Sequence, residues 1–303
     1  MKLTRRNALT LAGASACAMA VWPKIAMAQM TVGAKTIHSL SDGFISLPTE
    51  LVFGPAPKVE ADTFIQTHDL TDRLSPPCNV TLLQDGDRNI LFDLGAGSEF
   101  QSTAGFLLDA LDGIDLSPDD ITDVVFTHAH PDHIWGLVDD FDDLTFPNAA
   151  YMIGQTEWDY WTDPNTVDTI GAERTTFAVG AARRLDRIKD MVTFVKDGME
   201  ILPGVAARAT FGHTPGHLAF EVRDGTESVM VLGDCIANHH VAFEQPAWRS
   251  GSDQDLDTGA ATRISLLDQL AQDQMRVVGY HLPGNGIGRV ERHAGAYRFV
   301  PEI

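Results

Sequence analysis

The chain is short of cysteine, of positive charge and, past its first 28 residues, of long apolar runs. Only Cys17, Cys78 and Cys235 occur in 303 residues, which excludes a disulfide framework and leaves the fold to a hydrophobic core. The 44% apolar content is ordinary for such a core. Cys78 and Cys235 could pair in an oxidising compartment, but buried free thiols are the simpler expectation. Lys and Arg number 22 against 42 Asp and Glu, a formal net charge of −20. So acidic a surface repels phosphate backbones and anionic lipid heads, so a nucleic-acid partner is excluded and a small-molecule substrate expected. A stable membrane span needs roughly 20 apolar residues, and no segment beyond the N-terminus supplies them. Nor does a Gly-x-Ser-x-Gly elbow occur to present a serine nucleophile.

The N-terminus differs from the rest. Residues 1–28 hold Lys2, Arg5, Arg6 and Lys24 and no acid. Thr4-Arg5-Arg6-Asn7 precedes an apolar, small-residue stretch from Ala8 to Trp22, and Ala26-Met27-Ala28 forms an A-x-A cleavage pattern before Gln29. This is similar to a twin-arginine signal, whose export pathway carries folded proteins. The expectation is a signal over 1–28, a single domain over 29–303, and a periplasmic or secreted location. Retention of the apolar stretch as an anchor is the alternative. A homodimer is left open.

Short apolar runs predict strands at Thr36–Leu40, Asn79–Leu83, Asn89–Leu94, Asp123–Thr127 and Ala149–Ile153, and later at Val192–Val195, Gly204–Thr210, Ala219–Val222, Ser228–Leu232 and Arg276–Tyr280. Spacings of three and four predict helices over Thr103–Leu111, Gln155–Trp161, Ala172–Met191 and Thr258–Gln272. Strands followed by helix, twice, suggest two similar halves packed sheet on sheet with outer helices. Leu51–Pro77, with Pro55, Pro57, Pro76 and Pro77, reads as a long loop or extended hairpin near a site mouth.

Chemistry concentrates in His128-Ala129-His130-Pro131-Asp132-His133, which follows an apolar strand and precedes Ile134-Trp135. A turn there can aim three imidazoles and a carboxylate at one place, a donor set suited to zinc and also to iron or manganese. Packing alone does not explain that density. Phe53, Trp158, Trp161 and Phe243 are candidates for core or for pocket walls.

The run resembles the His-x-His-x-Asp-His signature of the metallo-β-lactamase-fold superfamily. Phe92-Asp93-Leu94-Gly95-Ala96-Gly97, Gly212-His213-Thr214-Pro215-Gly216-His217, Leu232-Gly233-Asp234 and Gly279-Tyr280-His281 resemble its other motifs in order and spacing. The resemblance implies an α/β fold, the αββα sandwich of two packed mixed sheets with helices on the outer faces. It implies two divalent metal ions per chain, zinc first, with His128, His130 and His213 on one, Asp132, His133 and His281 on the other, and Asp234 bridging. His217 is then a supporting residue, His239 and His240 surface or packing residues, and Asp93 either orients a ligand or merely shapes a turn.

The implied reaction is hydrolysis of an ester, lactone or phosphotriester. Two cations about 3.5–4 Å apart can share a hydroxide nucleophile at neutral pH. Asp234 and Asp132 are the catalytic carboxylates, Asp132 also relaying a proton to the leaving group. Val241–Pro246, Gln254-Asp255, Ala261–Arg263 and Gly279–Pro283 are similar to the methyl-parathion-hydrolase-like and quorum-quenching-lactonase subgroup. Ala237 stands where well-known lactonases carry a substrate-touching Tyr, so the resemblance does not extend to that contact. The alternatives are a mononuclear iron persulfide dioxygenase and a non-catalytic periplasmic zinc-binding protein.

Overall fold

Runs of aliphatic residues bounded by Gly and Asp become strands in both halves of the chain. The computed structural model describes residues 27–302; the expected export signal, but for its last two residues, lies outside them. The first half contains β1 (Met27–Val32), β2 (Lys35–Phe44), β3 (Leu47–Pro48), α1 (Thr49–Phe53), α2 (Lys58–Thr67), β4 (Arg73–Leu74), β5 (Pro77–Asp85), β6 (Arg88–Phe92), α3 (Leu107–Asp112), β7 (Asp123–Phe126), α4 (Pro131–Ile134), β8 (Ala150–Gly154), α5 (Gln155–Thr162), α6 (Thr166–Thr169), α7 (Thr175–Asp186) and β9 (Val192–Val195). The second contains β10 (Glu200–Leu202), β11 (Val205–Ala209), β12 (Leu218–Asp224), β13 (Glu227–Val231), α8 (His239–Glu244), α9 (Leu256–Asp273), β14 (Arg276–Val278), β15 (Ile287–His293) and β16 (Ala296–Pro301).

Two seven-stranded mixed sheets result, ordered β1-β2-β5-β6-β7-β8-β9 and β10 through β16. Strands β6 to β9 run parallel, as do β13 and β14. Successive side chains point to opposite faces, so one strand feeds two cores. Leu83, Ile90, Phe92 and Val125 face the second sheet's Val205, Phe220, Val222 and Val231, with Phe92 and Phe220 rings 5.4 Å apart. Leu82, Leu91, Val124 and Phe126 face Leu107, Leu111, Ala181 and Leu185 of α3 and α7. Met230 and Val277 face Leu266, Leu267 and Leu270 of α9. Each of these Val, Leu, Ile, Phe and Met side chains contributes roughly 1.5–3 kcal/mol on burial. This is the αββα sandwich with its helices outside.

Departures from expectation have physical causes. Leu51–Pro77 is neither a long loop nor an extended hairpin: it holds the end of α1, all of α2 and β4, which pairs with β3 just ahead of it in a small two-stranded sheet. Val52, Phe53, Ala61 and Phe64 bury against Leu74 and the distant Val241, a contact that leaves no periodic trace nearby. Helix α3 begins at Leu107, four residues later than expected, because Gly105 (φ +96) turns the chain. The edge strands β1, β10 and β16 and the inner strand β15 were not anticipated. Cys78 and Cys235 are buried free thiols. No helix among the described residues is long and apolar enough to cross a membrane.

Candidate metal centre

The site forms where strands end. The parallel strands β6 and β7 end just ahead of Asp93 and the His128–His133 turn; β13 and β14 end just ahead of Asp234 and His281; the β11–β12 connection carries His213 and His217. Leu218 N–H donates to the Thr127 carbonyl (2.9 Å), joining turns from the two sheets. The Tyr280 hydroxyl donates to the Asp132 carbonyl, and its ring lies 3.9 Å from that of His133. Gly233 has φ +54, and a Cβ there would lie 2.7 Å from His217 Nε2, so only glycine lets the Asp234 turn approach that ring.

Two groups of donor atoms converge: His128, His130 and His213, and beside them Asp132, His133, Asp234 and His281, each within 4.8 Å of one another. His130 Nδ1 lies 3.0 Å from His128 Nε2 and 2.8 Å from His213 Nε2. Asp234 Oδ2 lies 3.3 Å from His213 Nε2 and 3.2 Å from His281 Nε2, so it stands between the groups. All seven residues are buried.

Every histidine in these groups has one nitrogen held by the protein and the other turned inward, the arrangement typical of metal-binding imidazoles. His133 Nδ1–H donates to Asp93 Oδ2 (2.8 Å) and His281 Nδ1–H to the Pro77 carbonyl (2.7 Å). His128 Nδ1 meets Thr127 Oγ1 at 3.0 Å, and His213 Nδ1 faces Asp253 Oδ1 at 3.4 Å. The Gln254 amide lies 3.1 Å from His130 Nε2. His217 is different: Thr210 Oγ1 lies 2.7 Å from its Nδ1, and its Nε2 accepts the Asp234 N–H at 2.9 Å. Neither nitrogen is free for a cation, so His217 positions Asp234.

The residues fit a pair of cations. Asp132 Oδ2, His133 Nε2 and Asp234 Oδ1 are buried without a hydrogen-bond partner, although His133 Nε2 lies 3.3 Å from Asp234 Oδ1. The atoms are near one another but misaligned as donor and acceptor, as expected when lone pairs aim at a shared centre. Burial drives His128 and His130 well below the usual imidazole range, leaving neutral rings with lone pairs to offer. Burial would also lower His133, but Asp234, Asp132 and Asp93 outweigh it and push it up to about 10. Burial would raise Asp234, but His281 and His133 bring it well below the usual carboxylate range. Buried carboxylates so placed demand positive charge nearby. A third grouping, Asp93 with His128 and His133, suits a cation less, because Asp93 already accepts from Thr127 N–H, Thr127 Oγ1–H and His133.

Of the two roles open to Asp93, its carboxylate takes the orienting one, since its bonds go to Thr127 and His133 and none to its own turn. It sits at φ +66, a conformation costing a non-glycine residue roughly 1–2 kcal/mol, and it orients His133.

Several supporting residues escaped the sequence reading. Glu157 on α5 is fully buried. Its Oε1 accepts Ala129 N–H (2.9 Å) and Trp161 Nε1–H (2.6 Å); its Oε2 accepts Thr214 Oγ1–H (2.7 Å) and Gly216 N–H (3.0 Å). One carboxylate thus ties the His128–His133 turn to the turn after His213. Burial pulls its pKa up, and the four donors oppose that. Asp42, buried behind Gly95-Ala96-Gly97, accepts N–H bonds from Ala96 (2.8 Å), Gly105 (3.2 Å) and Leu107 (2.9 Å). Asp253 pairs with Arg263 (3.1 Å) behind His213. An acid inside a helix pattern was the only available signal for Glu157, and exposed helices carry many.

A cavity of about 100 Å³ opens over both groups, lined by Ile45, Leu47, Leu51, Phe100, Arg174 and Phe177 among others, including Ala237. The aromatic wall candidates lie elsewhere. Phe53, Trp161 and Phe243 are buried in packing clusters, and Trp158 packs on Phe194 at 5.4 Å. Half-buried His239 and His240 stack on each other at 3.8 Å.

The sequence model of the metallo-beta-lactamase superfamily matches residues 76–281. No curated protein matches the chain. Among solved structures, the chain is similar to AidC, a dizinc quorum-quenching lactonase in complex with the product N-hexanoyl-L-homoserine, at 27% identity and TM-score 0.85 over 92% of this chain and 98% of that one. It is similar to the hydrolase AbOPH of the β-lactamase superfamily at 26% identity and TM-score 0.84, over 93% and 99%. A probable metal-dependent hydrolase from Staphylococcus aureus, at 20% identity and TM-score 0.71 over 90% and 100%, shares the fold.

Proposed function

The chain belongs to the metallo-β-lactamase superfamily, and from that premise we propose that it is a dinuclear hydrolase of esters or lactones with an apolar acyl group, phosphotriesters being the neighbouring class. The observation that carries this reading is the pair of adjacent donor groups with Asp234 between them. His128, His130 and His213 would hold one cation, and Asp132, His133 and His281 the other. Zinc is the first expectation, as in the dizinc relative, with iron and manganese also compatible with the donors. Cations held there supply Lewis acidity and lower the pKa of water to roughly 7.

The protein's own share is positioning and exclusion of water. Asp93, Thr127, Asp253, Gln254 and the Pro77 carbonyl hold the imidazoles by their outer nitrogens. Asp132, whose Oδ2 has no hydrogen-bond partner, is suited to carry a proton to the leaving group. The apolar wall takes the acyl chain. Ala237 on that wall offers no phenol, so this chemistry does not use one. Two donor groups also favour hydrolysis over a single-iron dioxygenase.

Metal analysis with a panel of aryl esters, lactones, thioesters and phosphotriesters tests the reading. Two metals per chain and turnover of an ester or lactone are expected; a dimetal protein that hydrolyses none of the panel refutes it. Export rests on the N-terminal pattern alone. If it is right, changing Arg5 and Arg6 together to Lys traps the precursor in the cytoplasm, whereas unchanged periplasmic yield rejects it.

A further inference from the structure

The edge of a sheet can take on another strand, because one row of its N–H and C=O groups is left unpaired. Three of the four edges of the two large sheets are blunted. On β1, Arg276 Nη2 takes the Thr31 carbonyl (2.7 Å). β10 is three residues long, and its register shifts between Glu200 and Leu202. β16 carries Arg298 and ends in Pro301. β9, the last strand of the first sheet, has none of these guards: Val192-Thr193-Phe194-Val195 holds no charge and no proline, and its register with β8 is unbroken.

Val192 N–H turns to the Ile188 carbonyl (3.0 Å) rather than to β8. By the alternation of a parallel ladder, Thr193 and Val195 then bond β8, and the backbone groups of Phe194 face outward with the Val192 carbonyl. Apolar surface gathers at the same edge. Met191, Phe194 and Met199 lie within nine residues of chain and are 53%, 36% and 41% exposed. Trp158 of α5 packs edge-on against Phe194, the rings 5.4 Å apart.

The charges around the strand point to what fits it. The chain has only six lysines, and two of them flank β9. Lys189 and Asp190 stand four and three residues before Thr193; Lys196 and Asp197 stand three and four residues after it. All four are exposed. Turned end for end, this order matches each Lys with an Asp. A second copy of β9, antiparallel and centred on Thr193, therefore sets Asp190 against Lys196 and Lys189 against Asp197, and by symmetry does so twice. The same register joins Phe194 to Val192, the two residues whose backbone groups face outward. Lys189 already meets Asp186 at 2.9 Å, and Asp197 Oδ1 accepts Ala209 N–H at 2.7 Å, so the pair of Asp190 with Lys196 carries most of the match. Two lysines and two aspartates also leave the edge locally neutral, on a chain whose formal charge of −20 repels its own copies elsewhere.

We propose that β9 is the interface of a two-fold homodimer, in which the first sheets of two copies join edge to edge with Thr193 on the axis. The inference is independent of the hydrolase reading.

Sedimentation velocity over a concentration series tests it. The wild type passes from monomer to dimer in the micromolar range, as suits a small interface, and associates more weakly in high salt. Lys196→Asp faces Asp190 of the second copy with a like charge and weakens the dimer by ~10- to 100-fold. Adding Asp190→Lys makes the edge self-complementary again and restores the wild-type constant. Thr193→Cys in a Cys17→Ser background gives a disulfide-linked dimer on oxidation, since residues facing each other at a non-hydrogen-bonded position are within disulfide reach. The altered side chains of β9 are exposed, so folding is not at stake in these variants. A monomer at every concentration, a dimer indifferent to Lys196→Asp, or a double variant no tighter than the single one overturns the proposal. A dimer that forms without the Thr193→Cys cross-link uses another surface and overturns it as well.

Discussion

The two halves of the sandwich carry sheets of the same size but build the centre differently. The first half contributes His128, His130, Asp132 and His133 from one turn after β7. The second contributes His213, Asp234 and His281 from three turns separated by 20 residues or more of chain. The first set is local and needs only a strand and a short helix to point it. The second converges only when β11 to β14 have paired. Glu157 and the Leu218–Thr127 bond hold the two contributions in register. A local cluster thus supplies most of the donors, and the distributed set completes the two donor groups.

The largest effect should come from the residue that both groups share. Asp234→Asn is expected to reduce metal content below two per chain and kcat by on the order of 1000-fold; unchanged turnover with two metals bound would remove its bridging role. Next is Glu157→Gln, which sets an NH2 against two of four donors and loosens both turns. We expect ~10- to 100-fold weaker metal binding by chelator competition and a loss of about 1–3 kcal/mol in unfolding free energy. Should metal affinity hold while stability falls, Glu157 is a fold residue only.

His217→Ala tests the distributed half more gently. It removes the acceptor of the Asp234 N–H but no inward-facing nitrogen, so about a 10-fold loss of activity with both metals retained is expected. Release of one metal would show that His217, not His213, is the ligand.

The smallest effect concerns pH. Burial raises Asp42 from about 4 to about 7, despite its three N–H donors. A folded-state pKa above the unfolded one means that the native state binds the extra proton across that window. The group's contribution is therefore full below pH ~4 and is lost as pH rises through ~7. The Tm of wild type minus that of Asp42→Asn should shrink between pH 4 and 7; a constant difference contradicts the shift.

How much was legible follows from the same contrast. Two halves packed sheet on sheet with outer helices could be read because most strands are short apolar runs with clear ends and the long helices carry three- and four-residue spacing; the resemblance of the five motifs supplied the αββα sandwich itself. The helices α1 and α2 could not be read, since their apolar faces bury against Val241, nearly 190 residues downstream of α1. Export, the cleavage after Ala28 and the oligomeric state remain expectations of the sequence.

The sequence by itself determined that this chain concentrates metal-binding chemistry: imidazoles and carboxylates stand out by type, and five short motifs keep them at the ends of strands. Only the tertiary structure decided which nitrogen of each ring turns inward, why His213 converges while His217 serves Asp234, and that Glu157 and Arg174 belong to the site at all. Hydrogen-bond direction and cavity walls are set by residues far apart along the chain, and no local pattern records which of them will meet.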